Sequence, residues 1–356
     1  MTSKLTSTIG LDTWDLSQLI IKSRFAEALE EGVTRYPIYR ELRFAARMDL
    51  EELFDKIALD ESWRAQRLSS RAMLLDSDNI FVSASGSRTN DYISCFFSIW
   101  AETIEAAEQV KAAILDHVGK FRMDEPMFSI DWHFLTSKNE LESAEIEELA
   151  DDVLHDHAYP TLENGVANFI ESYLDAPEAV LVLQGPPGTG KTRLIRAILG
   201  AISRRKDGDA HALYTGDMRA LESDEIFVKF ITGWEDAFVI EDADHLLKPR
   251  SGGNENLHRF LSIADGVIRA QGRKIIFSTN LANVSDLDDA LIRPGRCFAH
   301  VDVRKLQTEE VKPLLSQLCS DNGVSVSEVE DLLSKASKNK HSLAEIYKAI
   351  QEVSTK

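Results

Sequence analysis

Residues 185–192 read Gly185-Pro186-Pro187-Gly188-Thr189-Gly190-Lys191-Thr192, and the segments on either side decide what such a run can be. AVLVLQ before it is short and uninterruptedly apolar, and TRLIRAILGAISR after it has helical periodicity. Strand, glycine-rich turn and helix in that order match G-x-x-x-x-G-K-[ST] in the context its mechanism needs. Glycines let successive backbone amides turn inward, so several N–H donors converge on one phosphate. The helix N-terminus adds a partial positive charge at the same point. Lys191 can reach the β and γ oxygens of a nucleotide, and the Thr192 hydroxyl can take one position on Mg²⁺. A chain that carries this run is committed to an α/β architecture around the strand that feeds it.

Four further runs, HALYTG, AFVIED, KIIFST and AHVDV, are as short and as apolar, with helical segments between them. Runs of this kind indicate a parallel sheet buried on both faces. AFVIED closes on Glu241-Asp242, with Asp244 two residues further on. Adjacent acids at the end of a buried strand are costly to desolvate unless a cation faces them. At the carboxyl end of a parallel sheet, beside a phosphate loop, they have one. One carboxylate can hold Mg²⁺ through its water shell, and the next can orient and deprotonate an attacking water. The next strand closes on Asn280, suited to positioning that water or sensing the γ-phosphate. Beyond it Arg293 and Arg296 stand three apart around Pro294-Gly295, poorly placed for the chain's own core. An arginine that completes a neighbour's site neutralises charge on the transferring phosphoryl group.

Taken in this order, GPPGTGKT, the acidic strand end, STN and ALIRPGR resemble the AAA ATPase module, over roughly residues 155–356. MRALESDEIFVKFI, AFVIEDADHLL and DDALIRPGR are most similar to the branch that contains the mitochondrial Rieske-protein translocase, which also tends to carry Glu-Asp at the acidic strand end. The resemblance implies a P-loop NTPase fold, a five-stranded parallel sheet with a C-terminal helical lid. It also implies a ring-like homo-oligomer, a hexamer, with ATP and Mg²⁺ bound between subunits. In that frame Glu241 takes the metal-side role with Thr192, Asp242 activates water, Asn280 is the first sensor, and Arg293 and Arg296 reach into the adjacent subunit. Ser342-Leu343-Ala344-Glu345-Ile346 resembles the lid's small-residue contact near the adenine, and Tyr159 lines the other side of that base. Three features depart from the family's pattern. Cys297-Phe298-Ala299-His300 follows the second arginine where an acid is usual, the water-activating acid is the shorter Asp, and the pore segment around Met218-Arg219-Ala220-Leu221 has no aromatic residue.

The rest of the chain needs its own domain, since 356 residues suggest two or three domains at roughly 150 residues each. Residues 1 to about 75 alternate charged and apolar positions in helical fashion, as in FAEALEEG and MDLEELFDKIAL. NIFVSASG and DYISCFFSIW flank Ser87-Arg88-Thr89-Asn90 as a hairpin, with Ile93, Cys95, Phe97 and Ile99 on one face. Ile104, Ala107, Val110, Ile114 and Val118 form a helical stripe. MFSIDWHF returns to period two, with Phe128, Ile130, Trp132 and Phe134 on one side. The expected division is a small α+β domain over 1–135, the large nucleotide-binding subdomain over 136–304, and the lid over 305–356. Residues 136–158, strongly acidic and ending near Pro160, read as a solvated helical linker. His155 and His157 alternate without a third ligand nearby and read as structural.

Charge and cysteine content narrow the function. Lys and Arg number 40 against 59 Asp and Glu, a net charge of −19 that opposes passive binding to nucleic acid or anionic membranes. Arg204-Arg205-Lys206 is the one short basic cluster, and it falls at a helix end where cations favour the dipole. Cys95, Cys297 and Cys319 lie far apart, which fits a reducing compartment. No apolar run approaches the ~20 residues of a membrane span, so a cytoplasmic location is expected. The leading expectation is an ATP hydrolase that remodels or translocates a protein client recruited through the N-terminal domain. The alternatives are a nucleic-acid motor or loader and an ATP-controlled assembly switch.

Overall fold

The computed structural model describes residues 36–354, apart from 78–79, 90, 139, 150–152, 207, 209, 250–256, 266–271 and 337–338, together with Leu19, Ile20, Lys22, Ser23 and Ala26. The chain divides into two compact units, Met1–Met127 and Phe128–Lys356.

In the first unit, β1 (Ile38–Ala46), α1 (Leu50–Ala58), β2 (Arg64–Ser69), β3 (Ala72–Ser77), β4 (Ile80–Arg88), β5 (Ile93–Ala101) and α2 (Ile104–Val118) follow one another. The strands form an antiparallel sheet in the order β1-β5-β4-β3-β2. Helical alternation is realised in α1, where Asp49 caps the amides of Glu51 and Glu52 and Leu50, Leu53, Phe54 and Ile57 are buried. The segments on either side of α1, expected to be helical, are strands instead. In β1, Leu42, Phe44 and Ala46 enter the core at a period of two, and pairing of all nine β1 residues with β5 overrides the local charge pattern. FAEALEEG lies largely outside the described residues. The hairpin between β4 and β5 closes at Thr89, whose amide and hydroxyl both donate to Tyr92 O; Asn90 lies outside the described residues. Ile93, Cys95, Phe97 and Ile99 are all buried against the stripe Ala107, Val110, Ile114 and Val118 of α2, while Ile104 is exposed.

The second unit opens with β6 (Met127–Leu135), β7 (Leu141–Leu149), α3 (Val166–Asp175), β8 (Val180–Gln184), α4 (Lys191–Arg205), β9 (His211–Thr215), α5 (Asp224–Thr232), β10 (Ala237–Ile240), α6 (Leu257–Asp265), β11 (Lys274–Thr279) and β12 (Cys297–Asp302). It ends with β13 (Leu306–Gln307), α7 (Thr308–Asn322), α8 (Val326–Ala336), β14 (Lys340–His341) and α9 (Leu343–Ser354). The five apolar runs are β8 to β12, paired in parallel in the order β12-β8-β11-β10-β9. Every residue of β8, β10 and β11 is buried, as a sheet covered on both faces requires. Leu181, Leu183, Val239 and Ile276 pack with Leu194 and Ile198 of α4 and with the lid. Val180, Val182, Phe238, Ile240 and Phe277 pack on the opposite face with Phe227, Phe230 and Phe260 of α5 and α6.

Two segments depart from expectation here. MFSIDWHF, assigned to the N-terminal domain, forms β6 and extends the nucleotide-binding sheet by pairing in parallel with β9. The stretch expected as a solvated acidic helix carries β7 at Leu141–Leu149, so the sheet has seven strands rather than five. The cause is tertiary: β6 offers an unpaired edge, and Arg196 of α4 pairs with Glu148 at 3.0 Å and donates to Leu149 O at 2.7 Å.

The lid is anchored where it leaves the sheet. Arg304 forks onto both oxygens of Glu310 at 2.7 Å, and the Gln307 amide donates to the same carboxylate at 2.8 Å. These bonds hold the Glu310 carboxyl at about 2, below the usual carboxylate range. With the folded value depressed, the stabilisation is full above the ordinary pKa of about 4.5 and is lost as pH falls through about 2. Glu310→Gln is expected to cost about 1–2 kcal/mol at pH 7. Urea unfolding of both proteins checks this, and the difference between them should shrink progressively below pH 4.5.

Candidate nucleotide site

β8 ends at Gln184, and the chain then turns sharply into α4. A Cβ on Gly185 would lie 2.0 Å from Val303 O, so only glycine lets the loop pass the strand beside it. Gly190 sits at φ 100°, where a Cβ would meet Leu343 and the Tyr159 hydroxyl at 2.7 and 2.8 Å. α4 begins at Lys191 with no side chain capping its first-turn amides, which leaves them to an anion. Lys191 Nζ donates to Gly185 O at 2.6 Å, Pro186 O at 3.2 Å and Asn280 Oδ1 at 2.9 Å. Burial lowers its pKa, against the opposing pull of Asp242, Glu241 and Asp244.

Parallel pairing brings the ends of β8, β11, β10 and β9 to one edge of the sheet. The Thr192 hydroxyl donates to Glu241 Oε1 at 2.6 Å. Asn280 Nδ2 donates to Asp242 Oδ1 at 2.8 Å. Asp242 has φ 51°, the sole positive φ on a non-glycine among the described residues. Asp tolerates that region better than most side chains, and such backbone concentrates at functional sites. Asp244 works behind them, accepting from the Thr279 hydroxyl at 2.7 Å and the Asn280 amide at 2.8 Å, which fixes the turn that presents Asn280.

These groups open on a cavity of about 620 Å³ lined by Pro187, Gly188, Gly190, Lys191, Thr192, Glu241, Asp242 and Asn280, with Arg193, Ser278, Leu343, Ala344 and Tyr347 completing its wall. The lid is tied to the phosphate loop, since the Ala344 amide donates to Gly188 O at 2.9 Å. The Arg193 guanidinium lies over the Tyr347 ring at 4.1 Å. Open amides, one ammonium and a hydroxyl–carboxylate pair form a donor set that fits a nucleoside triphosphate carrying Mg²⁺. A cavity of this volume suits a small-molecule ligand.

Not every expected residue lines the cavity. Gly185 and Pro186 hold Lys191 from behind, and Thr189 is buried with its hydroxyl on Pro186 O at 2.9 Å. Tyr159, expected beside the base, is buried beneath the loop and donates to Gly190 O at 2.9 Å; it braces the cradle instead of lining it. Arg293 is exposed and stands outside the cavity. Arg296 also stands outside, with its guanidinium turned back onto Ala290 O. The expected pore segment is a short 3-10 helix, Met218–Glu222, in which Ala220 and Leu221 are buried and Arg219 pairs with Asp217.

Sequence reasoning passed over Tyr214, which donates to Glu241 Oε2 at 2.8 Å. The rule that picked Glu241 and Asn280, polar groups where a buried parallel strand ends, also applies to the tyrosine near the end of HALYTG. Arg193 and Tyr347 carried no such signal, because their contact depends on how the lid docks.

Residues 181–305 match the model of the ATPase family associated with various cellular activities (AAA). The chain carries an AAA domain. ATP hydrolysis is the general activity of that domain. The ATP-dependent zinc metalloprotease YME1 homolog of Caenorhabditis elegans is 33% identical over 141 residues, 36% of this chain and 19% of the relative. An AAA-ATPase of Arabidopsis thaliana is 33% identical over 150 residues, 38% of this chain and 31% of the relative. The proteasome-associated ATPase of Acidothermus cellulolyticus is 25% identical over 201 residues, 49% of this chain and 33% of the relative. The chain thus spans a third or less of the length of each of these relatives. Among the described residues no helix is long and apolar enough to cross a membrane.

Because Tyr159 supports the cradle from beneath, Tyr159→Phe is expected to weaken ATP and GTP binding equally, by about 3- to 10-fold for one lost hydrogen bond. Titration with fluorescent analogues of both nucleotides checks this. A change in the ATP-to-GTP preference would return Tyr159 to the base.

Proposed function

We propose that this AAA domain is a Mg²⁺-dependent ATPase that works as a ring-like homo-oligomer, with each ATP held by one copy and triggered by the next, and that turnover remodels a protein partner. The observation that carries the reading is the division of charged groups around the cavity. Lys191, Thr192, Glu241, Asp242 and Asn280 gather at it, whereas Arg293 stands exposed outside it. An exposed arginine beyond the sensor strand is available to a second copy.

In this reading Lys191 and the first-turn amides of α4 bind the β and γ phosphates. Thr192 and Glu241 hold Mg²⁺, which when bound neutralises charge across the phosphate oxygens. Asp242 accepts the proton of the attacking water through one carboxylate oxygen, while Asn280 fixes the other at 2.8 Å. Arg293 of an adjacent copy stabilises charge on the transferring phosphoryl group. Arg296, whose guanidinium satisfies Ala290 O, shapes the turn that presents Arg293 and is the weaker candidate for that role.

The N-terminal unit, among whose described residues are a five-stranded antiparallel sheet and the helices α1 and α2 packed on it, is the part available for recruiting a client. A protein client is favoured over nucleic acid because the one short basic cluster is engaged locally. Arg205 pairs with Glu171 and Asp175, and Lys206 pairs with Asp236. A cytoplasmic site of action fits the cysteine usage, and kinship with the Rieske-translocase branch remains part of this proposal, resting on Glu241-Asp242.

Lys191→Ala is expected to abolish nucleotide binding. Asp242→Asn, which keeps a side chain tolerant of φ 51°, should bind ATP and lower turnover by about 10²–10⁴-fold, as loss of a general base does. Full activity in that variant would assign water activation to another group. Arg293→Ala should bind ATP normally and turn over about 10³-fold more slowly. Mixing it with Lys191→Ala should restore part of the activity, because one variant contributes intact pockets and the other contributes arginines. No recovery at any mixing ratio would contradict shared sites.

A further inference from the structure

The acid on the metal side of this site is a glutamate, one methylene longer than an aspartate, and a longer side chain has more rotamers to lose when it is fixed. The structure shows how it is fixed. Glu241 Oε1 accepts from the Thr192 hydroxyl at 2.6 Å and Oε2 accepts from the Tyr214 hydroxyl at 2.8 Å, so both oxygens are held from opposite sides. Tyr214 comes from β9, the strand next to β10, in a register that pairs it with Val239 and places its hydroxyl beyond the end of β10. Its ring is seated rather than loose. It packs edge-on to Trp132 of β6 at 6.3 Å and against the core beneath α4. Aromatic packing of that kind sets ring orientation, and with it the direction of the O–H.

We infer that Tyr214 is a positioning residue for the metal side of the site: by anchoring one oxygen of Glu241, it leaves the carboxylate oriented so that Glu241 and Thr192 together receive Mg²⁺ at the nucleotide. The inference rests on the reading of the site as a Mg²⁺-ATP site and adds to it the group that lets a glutamate serve there. The extension of the sheet by β6 has a function in this account, because Trp132 backs the anchor. Without the phenol, the Glu241 carboxylate keeps Thr192 but regains the freedom to turn its second oxygen away, and metal binding has to restrict it again.

The test is the Mg²⁺ dependence of nucleotide affinity, read by titrating a fluorescent ATP analogue at a series of Mg²⁺ concentrations and, in parallel, by Mn²⁺ electron paramagnetic resonance of the nucleotide complex. Tyr214→Phe should leave affinity without Mg²⁺ and the thermal midpoint of the free protein close to wild type. It should raise the Mg²⁺ concentration for half-maximal tightening about 10-fold, the loss expected for one hydrogen bond to a charged group. Glu241→Asp, too short to keep both contacts, supplies the second arm. In that background Tyr214→Phe should add less than about 2-fold, because interacting residues are not additive. Unchanged Mg²⁺ dependence in Tyr214→Phe, or full additivity with Glu241→Asp, overturns the inference. So does an equal loss of affinity with and without Mg²⁺, which would make Tyr214 a general support of the cradle. A wild-type protein whose nucleotide binding ignores Mg²⁺ would instead overturn the reading of the site itself, and the two failures are told apart by the wild-type curve alone.

Discussion

Everything at this site depends on cross-ties between the ends of parallel strands. Lys191 reaches from the phosphate loop to Asn280 at the end of β11, and Thr192 reaches from α4 to Glu241 at the end of β10. Asn280 in turn holds Asp242, and Asp244 holds the turn of Asn280. No strand carries more than part of the chemistry. The functional constellation exists because β8, β11, β10 and β9 are neighbours in that order and run the same way. Burial on both faces makes the order rigid, since slipping one strand by a residue would exchange its side chains between two separately packed cores. Among the described residues Asp242 alone of the non-glycines has a positive φ, 51°, which turns the chain away immediately after β10.

The nucleotide-binding unit was legible where one short segment carries its own physical reason. An uninterrupted apolar run followed by a glycine-rich turn admits few structures, and polar residues closing buried strands mark the edge where a ligand must lie. By that logic Lys191, Thr192, Glu241, Asp242 and Asn280 could be named from sequence, and all five line the cavity. What could not be read was any feature decided by another segment's edge. The acidic stretch around Leu141–Leu149 has the composition of a solvated helix, yet it became a strand because β6 had an edge to fill and Arg196 had a carboxylate to meet. Tyr159 failed for a related reason. The family resemblance set it beside the base, but its hydroxyl donates to Gly190 O from beneath the loop.

The N-terminal unit marks the other limit. Its hairpin and its second helix follow from plain periodicity, whereas β1, β2 and β3 lie in sequence whose charges mimic a helical pattern. Their strand character comes from pairing partners that are far away in the chain, beginning with the full register of β1 on β5. Nothing in such a sheet names a ligand. The unit therefore contributes to the functional account through what it could recruit, and the nucleotide unit through what it can do.

The central claim is that one copy grips the triphosphate and the next one triggers it. The most direct test is the ATPase rate per protomer measured across protein concentration, with sedimentation velocity on the same samples. The account predicts a rate per protomer that rises with concentration in step with assembly and falls away where only single copies sediment. A rate per protomer that stays constant down to dilutions containing single copies alone would contradict it.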